Sequence, residues 1–276
     1  MDQASKRIDI VPSKRRALIL EHLRINGAAS IQELADTLGG SQSTVRRDLE
    51  HLVEKGYLER THGGAHLIQP MRATFERETS LVAHLLHAEK LAIGREAALR
   101  LSPRDSVIFD SSSTVMEVVR AAADRDLPLT IVTNSLEIAD FAADIKSWRV
   151  ILPGGTIRLG HRYLVGEPGE SFIRTLHADL CMSGASAVTG TLITETTLEL
   201  ASLKRAMIAS ARRTILLVDS SKFAPPGFCT LCDISEIDEV ITDDRAPEDA
   251  VNALRAAERI VTLVPNPKTP KFETPS

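Results

Sequence analysis

Residues 31–67 read IQELADTLGGSQSTVRRDLEHLVEKGYLERTHGGAHL. Two short apolar-periodic segments are parted by Gly39-Gly40-Ser41, and the second opens on hydroxyl, amide and guanidinium side chains before its apolar stripe begins. A helix-turn-helix presents a helix end to a DNA groove in this way. Ser30 followed by Glu33 has capping-box spacing, which predicts a helix through Leu38 with Ile31, Leu34, Ala35 and Leu38 inside. A further helix is expected from about 42 to 55, with Val45, Leu49, Leu52 and Val53 facing inward. Ser41, Gln42, Ser43 and Thr44 disfavour a helix interior but suit a helix start in a major groove, where short polar groups reach phosphates and base edges. Arg46 and Arg47 are the strongest candidates for base or phosphate contacts; the alternative for either is an ion pair with Asp48 or Glu50 on a solvated face.

Upstream, Ser13 can cap a helix whose residues Ala17, Leu18, Leu20 and Leu23 face one side, with Asn26-Gly27 as its stop. Lys14, Arg15 and Arg16 fall in its first turn, where the helix dipole disfavours cations. A nearby phosphate would explain them, Lys14 above all; a solvated helix end is the alternative. Downstream, Gly56 ends the second helix of the motif, and 57–61 reads as a strand turning at His62-Gly63-Gly64 and returning through 65–67. This is a wing. Arg60 and His62 could reach the groove beside it, and Gly63 allows backbone to approach a phosphate; an ordinary hairpin with a permissive turn is the alternative.

The 276-residue chain has room for a small domain and a larger one. Its formal net charge of -4 excludes a uniformly basic coat, so contact with nucleic acid must come from a local arrangement of Arg and Lys. Three cysteines, no apolar run of membrane-spanning length and no signal-like N-terminus lead us to expect a cytoplasmic protein with no membrane partner. Residues 1–12 read as a flexible arm, 13–68 as the DNA-binding domain, 69–75 around Pro70 as a linker, 76–264 as a second domain and 265–276 as a disordered tail.

After a mostly helical stretch over 76–101, the second domain alternates β-rich runs with helical ones. Strands are expected at 106–109, 129–132, 149–152, 180–183, 214–218, 239–242 and 259–263, with helices at 114–123, 136–143, 198–211 and 247–256. That rhythm argues an α/β fold with a mostly parallel sheet. Ligands of such sheets sit beyond the carboxyl ends of the strands. There the chain places Asp110-Ser111-Ser112-Ser113-Thr114, Thr133-Asn134-Ser135, Gly154-Gly155 with Arg158, Gly184, and Asp219-Ser220-Ser221-Lys222, with Lys204 as a further cation. Each alone suits a cap or a turn. Together, rich in hydroxyls and joined to a helix N-terminus, they suit a polyhydroxylated, phosphorylated small molecule.

The motif Ser41, Thr44, Arg46-Arg47-Asp48-Leu49, Leu52, Gly56, Leu58 and Arg60-Thr61-His62-Gly63-Gly64-Ala65 resembles the DeoR family of bacterial transcriptional regulators, with Val45 where many members have Ile. Thr133-Asn134-Ser135, Gly154-Gly155, Gly184-Ala185, Lys204 to Met207 and Asp219 to Phe223 are similar to that family's later blocks. The resemblance implies a winged helix-turn-helix followed by a sugar-phosphate effector domain, similar in fold to ribose phosphate isomerase and the coenzyme A transferases. It implies a repressor of carbohydrate-metabolism genes, with operator DNA and a phosphorylated sugar or polyol as partners and no cofactor. One such module makes too few base contacts for useful specificity, so a homo-oligomer reading repeated or inverted half-sites is expected. Two places depart from the family: Ser112-Ser113 fill the Gly-Thr positions of its phosphate loop, and Leu200 stands where an acid is common, so a hydroxyl-binding carboxylate is missing or moved to Glu199.

A sugar-phosphate isomerase fused to a DNA-binding domain is the alternative. The similar isomerases carry Asp-Gly-Ala-Asp where this chain has Gly184-Ala185-Ser186-Ala187, so both acids are absent and no catalytic residue is assigned. Cys229 and Cys232 have CxxC spacing, a weak signal for a thiol or metal sensor because no second such pair exists; only Cys181 and His177 could add ligands, and no metal site is assigned.

Overall fold

The computed structural model describes residues 11–61, 63–68, 79–82 and 84–266. His62, the residues assigned to the linker and nearly all of those assigned to the arm and tail lie outside the described residues. The chain divides into two compact units, residues 1–71, 77–87 and 268–276 in one, and 72–76 and 88–267 in the other.

In the first unit, α1 (Pro12–Asn26) begins one residue before the expected cap. Pro12 occupies the first turn, where its missing N–H and fixed φ cost nothing, and Ser13 does not cap. Its buried face is Ala17, Ile19, Leu20 and Leu23; Leu18, expected inside, is only half-buried because at 100° per residue it lies off the stripe that Ile19 and Leu23 define. A short strand that the residue pattern did not signal, β1 (Ala28–Ser30), leads into α2 (Ile31–Leu38), whose capping box between Ser30 and Glu33 is formed as expected. Gly39 takes a left-handed φ of 63° and starts the turn to α3 (Gln42–Glu54).

Strands β2 (Leu58–Thr61) and β3 (Gly64–Leu67) form the wing, and β1 pairs antiparallel with β3, giving the order β1-β3-β2. The two tip glycines have different tasks. Gly63 has φ +86, which a side chain resists, whereas a Cβ on Gly64 would lie 2.1 Å from the Ala29 carbonyl oxygen. The expected long helix over 76–101 is instead two pieces. α4 (Thr79–Val82) belongs to this unit, and Leu86, at φ 49°, donates its N–H to the Glu21 carboxylate of α1 at 2.6 Å. α5 (His87–Ala98) opens the second unit.

There the chain continues through β4 (Ser106–Phe109), α6 (Ser113–Ala123), β5 (Leu129–Thr133), α7 (Leu136–Ala143) and β6 (Trp148–Ile151). A small hairpin, β7 (Thr156–Ile157) with β8 (Leu164–Val165), precedes α8 (Gly169–Ile173) and β9 (Ala178–Ser183). Then come β10 (Ala187–Thr189), β11 (Leu192–Glu195), α9 (Leu198–Ala209), β12 (Ala211–Leu217), β13 (Cys229–Asp233), β14 (Glu239–Asp243), α10 (Glu248–Ala256) and β15 (Ile260–Val264).

All seven expected strands form one parallel sheet in the order β15-β14-β12-β9-β4-β5-β6. Because neighbours along a strand point to opposite faces, odd and even positions divide cleanly. Val107, Phe109, Ile131, Leu180, Met182, Ile215 and Leu217 pack with α5, α6 and α7, while Ile108, Val132, Cys181, Leu216 and Val240 pack with α8, α9 and α10. Burial on both faces explains why these strands read as continuous apolar runs. The second face also carries a three-stranded antiparallel sheet, β10-β11-β13, whose short strands the sequence pattern did not signal.

Candidate functional site

Two surfaces carry chemistry, one in each unit. In the first, Ser41 is the N-cap of α3: its Oγ accepts from the Thr44 N–H at 3.2 Å and lies 2.8 Å from Ser43 Oγ and 2.9 Å from Thr44 Oγ1. Gln42 and Ser43 are exposed beside it, and the Gln42 amide donates to Gln32 of α2. Arg46 and Arg47 are exposed on the next turn.

The ion pairs set against a DNA role for these two arginines are made by others. Asp48 is buried at 2% exposure and accepts from Arg15 Nε at 2.5 Å and Arg16 Nε at 2.9 Å. Glu50 pairs with Arg60 at 3.1 Å. Among the described residues Arg46 and Arg47 have no ion-pair or hydrogen-bond partner, so the outer face of α3 presents two uncommitted guanidinium groups. Arg60 is tied to Glu50 only at the surface, where such a pair contributes about 1 kcal/mol or less and yields readily to a phosphate. Lys14 is exposed at the start of α1, and Gly63 sits at the wing tip.

In the second unit the chain runs outward from β4 to β5 and β6 on one side, and outward from β9 to β12, β14 and β15 on the other. The crevice beyond β4 and β9 is therefore the topological switch point of the sheet, where ligands of open α/β folds bind. Residues 110–114 fill one lip and residues 183–186 the other. They touch closely: a Cβ on Gly184 would lie 2.5 Å from Ser112 Oγ.

The loop is shaped from beneath by Asp110, which is wholly buried. One carboxylate oxygen accepts from the Ser112 N–H at 2.8 Å and from the Ser112 hydroxyl; the other accepts from Ser183 Oγ and the Gly184 N–H, both at 2.8 Å, and lies 2.9 Å from Lys204 Nζ. Burial alone would raise its pKa, but the Lys204 charge and the Ser112 hydrogen bonds override that and hold it below the usual carboxylate range.

Lys204, on α9, also donates to Glu195 Oε1 at 2.6 Å and to the Gly184 carbonyl at 3.0 Å. Its three N–H groups are thus committed, and at 3% exposure it lies under the rim rather than on it. Burial opposes its charge, yet the flanking carboxylates keep its pKa above that of an ordinary lysine. Glu195 accepts in turn from Ser186 Oγ at 2.6 Å. This carboxylate was not singled out in the sequence, where Glu199 was; Glu199 is exposed in the first turn of α9. Parity could not have found it, since Ile193, Thr194 and Glu195 are all buried and the pairing of β11 with β13 shifts register there.

With Asp110 and Lys204 satisfied by each other, the groups open to a ligand are those above them. Ser111 and Ser113 have hydroxyls without partners among the described residues, and Ser112 is the N-cap of α6, whose first N–H groups have no partner within the helix. Thr114 is buried behind them. Thr133 accepts from the Ser135 N–H and Ser135 caps α7 through Ile138, so both shape the neighbouring turn. Asn134 gives its amide N–H to the Leu164 carbonyl at 3.0 Å. Gly154 and Gly155, at φ 87° and 123°, bring the chain against β8, where a Cβ on Gly155 would meet the Val165 oxygen at 2.7 Å. Arg158 of the β7–β8 hairpin donates to Thr197 Oγ1 at 2.9 Å, which ties the hairpin to the start of α9. Lys222 stands in a 3-10 turn, where burial would raise the Asp219 carboxyl but the Lys222 charge, helped by Lys90, holds it low.

Cys229 and Cys232 lie on β13, and burial raises both thiols, Cys232 to about 12. Such thiols are protonated and weakly nucleophilic near neutral pH. Among the described residues no group of three or more His, Cys, Asp or Glu is placed to hold a metal, and no helix is long and apolar enough to cross a membrane.

Residues 15–71 match the family model of the DeoR-like helix-turn-helix domain, and residues 86–244 match that of the DeoR C terminal sensor domain. Similar relatives include the HTH-type transcriptional regulator GlpR of Haloferax volcanii, 32% identical over 90% of this chain and 96% of that protein. The HTH-type transcriptional repressor GlcR of Bacillus subtilis is 31% identical over 86% and 90%, and the L-fucose operon activator of Haemophilus influenzae 31% over 85% and 93%. Ribose 5-phosphate isomerase A of Methanocaldococcus jannaschii is a structural neighbour at 16% identity and a TM-score of 0.37, covering 49% of this chain and 53% of its own.

Proposed function

Since the chain belongs to the DeoR family of transcriptional regulators, we propose that it is a cytoplasmic repressor of carbohydrate-metabolism genes whose grip on operator DNA is set by a phosphorylated sugar or polyol. The observation that carries the effector reading is the loop 110–114 at the switch point. Ser111, Ser113 and the N-terminus of α6 leave several donors unused around one spot, which suits a phosphate, while the neighbouring turn at 133–135 and the cationic Arg158 and Lys222 suit the rest of a hydroxylated ligand. Asp110, Glu195 and Lys204 serve as the floor that fixes the loop.

DNA is read by Arg46 and Arg47 with Gln42 and Ser43, and the phosphate backbone is met by Lys14, Arg60, Gly63 and the start of α3. One winged helix makes too few base contacts for useful specificity, so the working form is a homo-oligomer on repeated half-sites. The effector acts by linkage: it shifts DNA affinity only by as much as it favours one conformational state over the other.

Turnover is disfavoured by the same geometry. Proton abstraction from a sugar phosphate needs a carboxylate base that reaches the ligand and is not buried against a cation. Asp110 is saturated with donors and Glu195 is bonded to Lys204 and Ser186, while residues 184–187 supply no acid.

Thermal melts of the full chain with a panel of sugar and polyol phosphates test the reading, because a ligand of the native state raises apparent stability. At least one should raise the melting temperature and lower DNA affinity in a gel-shift assay. Stabilisation by none, or conversion of any one to an isomer, would overturn it. Tighter DNA binding with effector would reverse the sign and make the protein an effector-dependent DNA binder.

A further inference from the structure

The start of α1 holds three consecutive cations, Lys14-Arg15-Arg16, in a helix turn whose dipole opposes them. Two are accounted for from within the protein. Arg15 and Arg16 give one Nε hydrogen bond each to opposite oxygens of Asp48, and their side chains are only 14% and 24% exposed. Asp48 stands between the exposed Arg47 and the buried Leu49 on α3 and is itself buried. A carboxylate at that depth is tolerated only when paired and hydrogen-bonded. Two planar donors fixed on a different helix also define its direction, which a single point charge does not.

We propose that Asp48 is a positioning residue for DNA recognition. Held by Arg15 and Arg16, it locks the rotation of α3 about its own axis, so that Arg46 and Arg47, two and one residues earlier, project outward in a fixed direction. Apolar packing of Val45, Leu49 and Leu52 alone tolerates small axial rotations, because aliphatic contacts are not directional; the two-pronged carboxylate contact is. Arg15 and Arg16 serve this clamp and make no phosphate contact, although their sequence context suggests one. The proposal rests on α3 being the DNA-reading helix.

The test uses the full chain, a duplex enriched by the wild-type protein from a randomised pool, and a scrambled duplex of the same length, with affinities measured by fluorescence anisotropy across a salt series. Asp48→Asn should lose at least tenfold on the enriched duplex. On the scrambled duplex it should bind as well as wild type or better, with a salt slope at least as steep, because two guanidiniums are set free; each new phosphate contact adds about 0.9 to the slope. The paired change Arg15→Lys with Arg16→Lys keeps both charges and loses only the planar, directional Nε donors. It should likewise lower the ratio of enriched to scrambled affinity at unchanged slope, and it keeps the test sound if Asp48→Asn does not fold. Asp48→Glu should restore part of the ratio.

If Arg15→Gln or Arg16→Gln flattens the salt slope by about 0.9 on both duplexes, those arginines bind phosphate and the proposal falls. It falls too if the Lys pair retains wild-type discrimination. Enrichment of no duplex by the wild-type protein would instead undo the reading of α3 itself.

Discussion

Lys204→Met tests whether the floor of the crevice beyond β4 and β9 is electrostatic or merely filled space. In the wild type one ammonium separates two buried carboxylates, 2.9 Å from Asp110 and 2.6 Å from Glu195. Methionine nearly preserves the volume and removes the charge. Breaking a buried pair from one side costs about 3 to 5 kcal/mol because it strands the partner. For a unit of this size each kcal/mol shifts the melting temperature by about 2 to 4 °C, so a drop on the order of 6 to 20 °C is expected near neutral pH.

The pH dependence separates charge from packing. In the wild type the Asp110 pKa is lowered on folding, so its contribution is present above the unfolded value of about 3.9 and is lost as pH falls through the folded one. Lys204, whose folded pKa is raised, contributes fully below its unfolded value of about 10.4 and fades only at more alkaline pH. Without Lys204, burial of Asp110 is opposed only by the hydrogen bonds that remain, so its folded pKa should move up from the wild-type position. The variant's deficit against the wild type should then narrow as pH falls from 7.5 to 5. Scanning calorimetry of both proteins at the two pH values measures this directly. An equal deficit at pH 5 and 7.5 would refute the electrostatic account and leave a packing defect.

Arg46→Ala should weaken binding to an enriched duplex by about 1 to 3 kcal/mol and relax sequence preference, while equal loss on all duplexes in the same titration would show a phosphate contact instead. Ser111→Asp places a negative charge among the unused donors of the α6 N-terminus; DNA binding should persist while the stabilisation by sugar phosphates disappears in thermal melts, and a retained shift would remove residues 110–114 from the effector site. Gly184→Ala should displace Ser112, at about 1 to 3 kcal/mol of overpacking in denaturant melts, and impair the effector response more than DNA binding. Cys229→Ser should leave DNA affinity and its response to mild oxidants unchanged, and a loss of oxidant sensitivity would instead give the thiol a regulatory role.

The architecture was legible because it depends on pattern. Seven apolar runs bounded by Gly, Ser, Asp and Pro became seven strands of one sheet, and the residue just beyond each run fell on its carboxyl rim. The helix-turn-helix could be read from a capping box and two glycine stops, features local enough to show in one stretch of chain. Pairing by tertiary contact was not legible. The β1 strand exists because Gly64 admits the Ala29 carbonyl, and no short-range signal reports that approach. Lys204 reads as a rim cation from its neighbours in sequence, yet its partners Asp110 and Glu195 arrive from β4 and β11 and turn it inward. Asp48, between an arginine and a leucine, could belong to either face of α3; only the arrival of Arg15 and Arg16 decides it.

Asp48 and Asp110 solve the same physical problem in the two units. A helix that must present its N-terminal region to an anion cannot be fixed there by apolar packing, since the contact surface has to stay polar and open. Each unit anchors the helix from behind with a buried carboxylate, Asp48 within α3 and Asp110 just before α6, and draws the neutralising groups from distant elements. The outward donors, Arg46 and Arg47 in one unit and Ser111 and Ser113 in the other, are thereby spared from internal pairing. In the function we propose, their partners come from the ligand. An anion bound at either place meets donors already oriented, so less ordering entropy opposes binding than at a flexible basic patch. That fits a chain of net negative charge, which has no long-range attraction for DNA or a phosphate to compensate for poor local geometry.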